Sequence, residues 1–139
     1  MNKKRFILNF IKRHKIAVIS TVNAKNKPES AVVEFGQTDN LELIFDTFST
    51  YRKYKNIKRS PYVAFVIGWD EDATVQYEGK AVELLGKDLE GYKKKFFKKH
   101  PDAKKWERFK QIRYFKVIPT WIRYSDLRKY PWDVVTLRF

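Results

Sequence analysis

Hydroxyl and basic side chains cluster in the middle of the chain in a pattern typical of an anion-binding site. The cluster comprises Thr47, Ser49, Thr50, Arg52 and Lys53. Residues 51–59 are predicted to form a short helix, and the start of a helix offers free backbone N–H groups and the positive end of the helix dipole. Cations in a first turn are unfavourable for the helix itself. A bound phosphate would relieve that repulsion, with Arg52 contacting two oxygens and Lys53 acting as a point charge.

A simpler interpretation is open for the same residues. Ser49 and Thr50 are helix-capping types, and the basic side chains of residues 52–59 could form a solvated face. The first turn of a helix normally prefers acidic residues, and a departure from such a local preference often marks a functional site. We therefore predict a phosphate site with Thr47, Arg52 and Lys53 at its centre.

Nucleophilic and metal-dependent catalysis find little support in the sequence. There is no cysteine, and the five glycines form neither a Walker A loop nor a GxGxxG turn. His14 and His100 are the only histidines, and both adjoin lysines at predicted helix ends, where we expect them to be solvated. No metal site is predicted. If the protein is an enzyme, a cofactor is expected to carry the chemistry.

The composition is that of one basic globular domain. The chain has 139 residues with 43% hydrophobic and 17% aromatic content, and we expect a single domain over residues 1–139. The net charge of +14 fits phosphate-bearing ligands, nucleic acid or anionic lipid, or only solubility. The best apolar stretch, Tyr62–Trp69, is far shorter than the ~20 residues of a spanning helix. The N-terminal apolar run is too short for a signal peptide, so we expect a cytoplasmic protein with no membrane partner.

Most of the elements that position the phosphate site are predicted to be strands. Alternation and turn residues predict strands at 16–22, 29–36, 41–47, 62–69, 73–85, 112–118 and 121–124. Helices are predicted at 4–14, 51–59, 88–99 and 103–109. Gly79, inside a predicted strand, indicates a bulge or a close backbone approach. Consecutive strands joined by short turns pair antiparallel, and closure removes exposed edges, so we expect an antiparallel barrel.

The segment FDTFSTYRKYKNIKRSPYVAF, residues 45–65, resembles the FMN-binding split barrels of the pyridoxamine 5′-phosphate oxidase-like family. In that family a strand ending in Thr leads to a helix bearing Arg-Lys and then to a buried strand, as Thr47, Arg52-Lys53 and residues 62–66 do here. The runs IAVISTVNAKNKPESAVVEF and VQYEGKAVEL are similar to the first hairpin and the fifth strand of the family. The resemblance covers residues 5–124. It implies a mainly β fold with peripheral helices, namely an antiparallel split β-barrel of the FMN-binding type.

The resemblance also implies FMN as the cofactor and three groups of contacts to it. The second strand would run beneath the isoalloxazine ring, the end of the third strand would line the ring edge or the ribityl chain, and the start of the helix would hold the phosphate. The implied contacts are Val32, Val33, Glu34, Asp46, Thr47, Thr50, Arg52 and Lys53.

A second subunit is implied in the same way. Thr74 falls where the family contacts a flavin bound mainly by the other subunit, and Trp132 would pack near the ring as C-terminal aromatics do in some members. The resemblance therefore implies a homodimer with the flavin at the subunit interface.

The function implied is that of an FMN-binding flavoprotein, an oxidoreductase acting on an unidentified small molecule. Residues 31–36 lack the basic side chains that the oxidase proper carries on its second strand, and Tyr51 stands where the family usually has Ser. The smaller branch of the family, which has no assigned function, is therefore the better match.

Two other functions remain open from the sequence. A non-catalytic basic barrel could bind nucleic acid or another polyanion through the lysines and aromatics interleaved at residues 92–106. A different cofactor, such as a deazaflavin or heme, could occupy the same barrel, with His14 and His100 as the only conventional imidazole ligands.

Overall fold

The computed structural model describes all of residues 1–139 and consists of one eight-stranded antiparallel sheet with peripheral helices. In chain order the strands are β1 (Ile16–Val22), β2 (Pro28–Glu34), β3 (Gly36–Gln37), β4 (Leu43–Phe48), β5 (Tyr62–Ile67), β6 (Ala73–Glu83), β7 (Ile112–Asp126) and β8 (Asp133–Arg138). The helices are α1 (Lys3–Lys12), α2 (Arg52–Arg59) and α3 (Gly86–Lys99), followed by a 3-10 helix (Pro101–Arg108). None of the helices has the length and apolar character needed to cross a membrane.

The sheet curls into a barrel that is split between β2 and β4. The strand order is β2-β1-β5-β6-β7-β4-β3, and β8 adds to β7. β3 pairs only with Leu43 and Ile44 of β4, and the rest of β4 contacts β2 without a hydrogen-bonded ladder. The predicted antiparallel split barrel with peripheral helices is confirmed. At the split, side chains of β2 and β4 approach each other without a hydrogen-bonded ladder between the two strands.

Gly79 and Pro119 lie opposite each other at a bulge in the longest strand pair. The register of β6 and β7 shifts beside Gly79, which leaves Thr120 as an extra residue. A proline has no N–H for the ladder and is tolerated in a strand at such a bulge. A Cβ on Gly79 would lie only 2.5 Å from the carbonyl oxygen of Ile118. The predicted bulge is confirmed, whereas the predicted break between residues 118 and 121 is wrong because β7 continues through it.

Strand β4 carries core side chains on both faces, which fixes the direction of its functional residues. Phe45 packs inside the barrel, while Ile44 packs outside against Phe96 of α3. Because successive side chains of a strand alternate between faces, Thr47 shares the inward side with Phe45 and Asp46 shares the outward side with Ile44.

The remaining differences from the sequence prediction lie at element ends. Strand β1 has the predicted bounds, and most other elements are shifted by one to three residues. The C-terminal tail forms β8, which was not predicted as a strand, and it pairs with β7 from Trp121 to Asp126.

Candidate functional site

Two adjoining cavities lie at the split, beside the start of α2. The larger, of about 350 Å³, lies between the β1–β2 hairpin and α2 and is called the helix cavity here. The smaller, of about 170 Å³, lies between β2 and β4 and is called the split cavity. Tyr51 and Lys53 border both cavities, which together form one groove. Ligand pockets in proteins commonly measure about 300–1,000 Å³, so the groove is large enough for a small organic ligand.

The groove brings together every predicted flavin contact except Thr74 and Trp132. Thr50, Arg52 and Lys53 border the helix cavity. The split cavity is bordered by the predicted contacts Val32, Val33, Glu34, Asp46, Thr47 and Lys53. Residues predicted from three separate parts of the chain thus line one continuous surface.

Thr47 presents a buried hydroxyl that has no hydrogen-bond partner. Its side chain is only 5% exposed and its Oγ1 has no partner within the protein. Buried hydroxyl groups in native proteins are nearly always paired, and each exception calls for an explanation. Thr47 borders the split cavity, so this buried hydroxyl lies beside the cavity, although its oxygen itself has almost no exposed surface.

Two carboxyl groups and one amine define the electrostatics of the split cavity. Burial and, to a smaller extent, the negative charge of Glu34 together raise the pKa of Asp46 to about 6, while the charge of Lys53 opposes the shift. Burial lowers the pKa of Lys53, and the charge of Asp46 counteracts that effect. Lys53 is therefore a partly desolvated cation, which strengthens its attraction for an anion relative to a fully solvated lysine.

Arg52 is already paired with a carboxylate at the helix cavity. Its Nη1 donates to Oε2 of Glu29 at 3.1 Å. Glu29 also accepts from Nδ2 of Asn56 at 2.8 Å and from Nδ2 of Asn23 at 3.2 Å. Sequence reasoning missed Glu29, because Arg52 and Asn56 lie more than 20 residues away along the chain and nothing in the local pattern brings them to it.

The start of α2 lacks a capping side chain. The N-cap residue is Tyr51, and no side chain accepts from the first turn. The interpretation of Ser49 and Thr50 as helix caps is therefore wrong, and the helix starts with Arg52 and Lys53 in its first turn and no acidic residue there. An uncapped N-terminus of this kind leaves N–H groups available to an anion.

His100 is buried beside the groove, so the prediction that it is solvated is wrong. Its side chain is 5% exposed, its Nε2 lies 2.7 Å from the carbonyl oxygen of Phe35, and its Nδ1 lies 3.2 Å from Oε2 of Glu34. Phe35 and Glu34 are 65 and 66 residues away in sequence. The Lys-Lys-His-Pro context gives no local signal of burial, and only the packing of α3 on the barrel places the ring there.

Thr74 and Trp132 lie at one end of β6, β7 and β8, away from the groove. Ala73, Asp126 and Asp133 are in register across β6, β7 and β8, so the residues next to them in sequence share one end of these three strands. Trp132 is 55% exposed and packs edge-on against Tyr130. Neither residue borders the groove.

The lysine-rich segment at residues 92–106 does not present its aromatic side chains as a stacking surface. Phe96 is fully buried beneath α3, and Trp106 packs edge-on against Phe48. Binding of single-stranded nucleic acid uses several exposed aromatic rings in a basic groove, whereas Trp106, which is 36% exposed, is the one ring of this segment that lies largely open beside a lysine, Lys105.

Comparison with known proteins relates the chain to one family. The family model described as pyridoxamine 5′-phosphate oxidase matches residues 4–126. The chain is 33% identical over 75 residues to the pyridoxine/pyridoxamine 5′-phosphate oxidase of Haemophilus influenzae (strain 86-028NP), a match that covers 53% of this chain and 36% of the relative. The matched part therefore spans about a third of the length of that relative.

Solved structures show the same fold. The general stress protein 26 of Bacillus anthracis str. Sterne superposes with a TM-score of 0.78 at 26% identity, over 100% of both chains. A heme-binding protein of Mycobacterium smegmatis superposes with a TM-score of 0.81 at 14% identity, over 98% of this chain and 56% of the other. At that low identity the second likeness shows the fold alone.

Proposed function

The chain belongs to the pyridoxamine 5′-phosphate oxidase family, and on that basis we propose that it is an FMN-binding oxidoreductase with the cofactor in the groove between β2, β4 and α2. The observation that carries the proposal is the buried, unpartnered hydroxyl of Thr47, which borders the split cavity. A ligand that supplies a polar group at this point would complete the local hydrogen bonding.

The phosphate of FMN fits the end of the groove at the first turn of α2. Lys53 borders both cavities, and Thr50 and Arg52 border the helix cavity. The uncapped start of α2 adds backbone N–H donors and the positive end of the helix dipole. Glu29 works against a phosphate here, because its carboxylate already occupies Arg52. We therefore assign the main phosphate contact to Lys53 and the helix start, with Arg52 contributing only when Glu29 releases or shares it.

The ring of the flavin is assigned to the split cavity. Val32 and Val33 of β2 offer an apolar wall with backbone polar groups, and Asp46 and Glu34 border its polar side. FMN supplies hydride and electron transfer when bound. The residues of this chain bind and orient it, and the substrate is proposed to be a small molecule that approaches the exposed side of the ring.

A second copy of the chain is proposed to complete the site. Val32, Val18 and Val66 lie side by side across β2, β1 and β5. Val32 and Val66 are 61% and 39% exposed. A row of exposed apolar side chains that continues into a cavity is typical of an interaction surface. In such a dimer Thr74 and Trp132 of one subunit would reach the flavin of the other.

Purification without added cofactor tests the proposal directly. We expect a yellow protein with flavin absorbance bands that a reductant bleaches, or a colourless protein that takes up one FMN per chain on titration. Sedimentation or light scattering should give twice the mass of the 16.8 kDa chain. A colourless protein that leaves the fluorescence of added FMN unchanged contradicts the proposal.

Heme is a second candidate because a structural neighbour is a heme-binding protein. The two histidines of this chain do not favour it. Both ring nitrogens of His100 already face protein acceptors, and His14 borders neither cavity of the groove. The visible spectrum separates the candidates, since a heme complex shows an intense Soret band and flavin does not.

A further inference from the structure

The ring of His100 faces two acceptors at once. Its Nε2 lies 2.7 Å from the carbonyl oxygen of Phe35, and its Nδ1 lies 3.2 Å from Oε2 of Glu34. The side chain is 5% exposed, so water does not replace either partner. Glu34 is about half exposed and borders the split cavity. The two residues therefore connect the end of α3 to the wall of the groove.

The two acceptors that face the His100 ring indicate how many of its nitrogens carry a hydrogen. A neutral imidazole has one N–H, and its other nitrogen only accepts. The carbonyl of Phe35 accepts only, so Nε2 carries a hydrogen. If Nδ1 were bare, its lone pair would face the lone pairs of the Glu34 carboxylate at close range. A second hydrogen on Nδ1 turns this repulsion into a charge-assisted hydrogen bond.

The surroundings of His100 also bear on the charge of the ring. His100 is the C-cap residue of α3, and the negative end of a helix dipole stabilises a cationic histidine. On the same side, Glu34 supplies one negative charge and Asp46 lies beyond it on β4. Two cations oppose this arrangement. Lys99 lies over the ring of Phe35 at 4.0 Å, and Lys15 donates to the carbonyl oxygen of Lys99.

We propose that His100 is a positioning residue whose doubly protonated ring holds the Glu34 carboxylate at the wall of the split cavity and cancels its charge there. A bound flavin ring then meets a neutral pair of side chains instead of an isolated anion. The effect on the flavin rests on the proposed function, whereas the hydrogen-bonded pair itself does not. The pair matters most for the reduced, anionic flavin, which a lone carboxylate would repel.

The pair can be tested without any flavin. Because His14 is the only other histidine, the variant His14→Gln assigns the nitrogen-15 signals of His100 in a two-dimensional spectrum. At neutral pH we expect hydrogens on both ring nitrogens in the wild type, and loss of the Nδ1 hydrogen in Glu34→Gln. A wild-type ring that carries a single N–H, or a Glu34→Gln spectrum identical to wild type, overturns the proposal.

The effect on flavin is tested with His100→Gln, alone and combined with Glu34→Gln. Glutamine can still donate to the carbonyl of Phe35, so the variant keeps the contact that ties α3 to the barrel. We expect His100→Gln to bind reduced FMN about tenfold more weakly relative to oxidised FMN than the wild type does. In the double variant with Glu34→Gln, the ratio of reduced to oxidised FMN affinity should return most of the way to the wild-type value, because the uncompensated charge of Glu34 is gone.

The two experiments separate the possible failures. If no variant, including the wild type, binds FMN while the nitrogen-15 result is as expected, the proposed function fails and the pair stands as a structural element. If FMN binds and His100→Gln leaves the ratio of reduced to oxidised affinity unchanged, the proposed role of His100 toward the flavin is wrong. A purely structural role would weaken both affinities equally and would not be rescued by Glu34→Gln.

Discussion

Arg52 and Glu29 are paired within the end of the groove that we assign to phosphate, with Nη1 of Arg52 3.1 Å from Oε2 of Glu29. Hydrogen bonds from Asn56 and then Asn23, together with the charge of Arg52, lower the pKa of Glu29. Glu29 is therefore an anion at neutral pH, and it competes with an incoming phosphate for the same guanidinium. A phosphate bound here would therefore share the guanidinium of Arg52 with an internal carboxylate.

Glu29→Gln is expected to strengthen FMN binding. The amide keeps a carbonyl oxygen for Asn56 but removes the charge that repels a phosphate and occupies Arg52. We expect FMN affinity to rise on the order of tenfold, as for the loss of one like charge close to an anion, measured by quenching of flavin fluorescence.

Glu83→Gln is the matched control for this prediction. Glu83 also ties α2 to the sheet, through Lys58 at 3.1 Å and the hydroxyl of Tyr54 at 2.9 Å, but it borders neither cavity. It should leave FMN affinity unchanged. Unaltered affinity in Glu29→Gln, or an equal rise in both variants, contradicts a phosphate at Arg52.

Lys53→Ala is expected to weaken FMN binding more than Arg52→Ala does. Lys53 borders both cavities and forms no salt bridge like that of Arg52 with Glu29, so no directly paired carboxylate competes with the phosphate for it. Loss of a charge-assisted hydrogen bond should cost about 1.5–3 kcal/mol of binding free energy. Lys55→Ala removes an exposed lysine of the same helix and serves as the control. Equal affinities for Lys53→Ala and Lys55→Ala in the same titration would place the phosphate elsewhere.

Local pattern accounts for the parts of the fold that were predicted correctly and for the part of the candidate site that lies within one segment of the chain. Alternation of side chains located β1 to the residue, and the Thr47-to-Lys53 run marked the end of one strand and the start of the next helix. These features depend on neighbours in sequence, so composition and spacing reveal them. The resemblance to a family then supplied Val32, Val33 and Glu34, which no local feature marks as site residues.

The features that were missed depend on contacts between distant parts of the chain. From its neighbours in sequence, Pro119 is expected to end a strand, and β7 continues through it only because of the bulge opposite Gly79. From its neighbours in sequence, Glu29 is expected to be an ordinary strand residue, and it pairs with Arg52 only because α2 packs over the β1–β2 hairpin. His100 reads as a solvated helix end, and it is buried because α3 folds back onto Phe35.

Thr47→Val is expected to stabilise the free protein and to weaken FMN binding. Valine has nearly the same shape and removes a buried hydroxyl that has no partner, so the free energy of unfolding should rise by about 1 kcal/mol. The same change removes the proposed hydrogen bond to the cofactor, and FMN affinity should fall by about fivefold. Urea unfolding without cofactor and fluorescence titration with it give the two quantities.

Tyr114→Phe is the control for the Thr47 variant. Its hydroxyl is the other buried hydroxyl without a partner, and it lies under α3 and borders neither cavity. The control should also gain stability but keep the wild-type affinity. A Thr47→Val protein that binds FMN as tightly as the control does would remove the observation on which the proposed function depends.

Asp46 makes the folded protein less stable as the pH rises through about 6. Burial first, and the charge of Glu34 second, raise its pKa from 3.8 to about 6. Because the folded-state value lies above the unfolded one, the folded state binds the proton more tightly. The protonated Asp46 carboxyl therefore stabilises the folded state. This contribution to the free energy of unfolding is fully present at pH values below the pKa of Asp46 in the unfolded chain, and it is lost as the pH rises through the pKa of Asp46 in the folded protein.

Asp46→Asn isolates this contribution. The variant should be more stable than the wild type at neutral pH by about 2 kcal/mol, and this advantage should shrink as the pH falls toward 4. The measurement is urea unfolding of both proteins across that range, so that titration of other groups cancels in the difference. Asp39→Asn, at an exposed carboxylate outside the groove, should follow the pH dependence of the wild type. If the difference between Asp46→Asn and wild type is constant with pH, Asp46 does not titrate in this range, and the split cavity carries a full negative charge throughout.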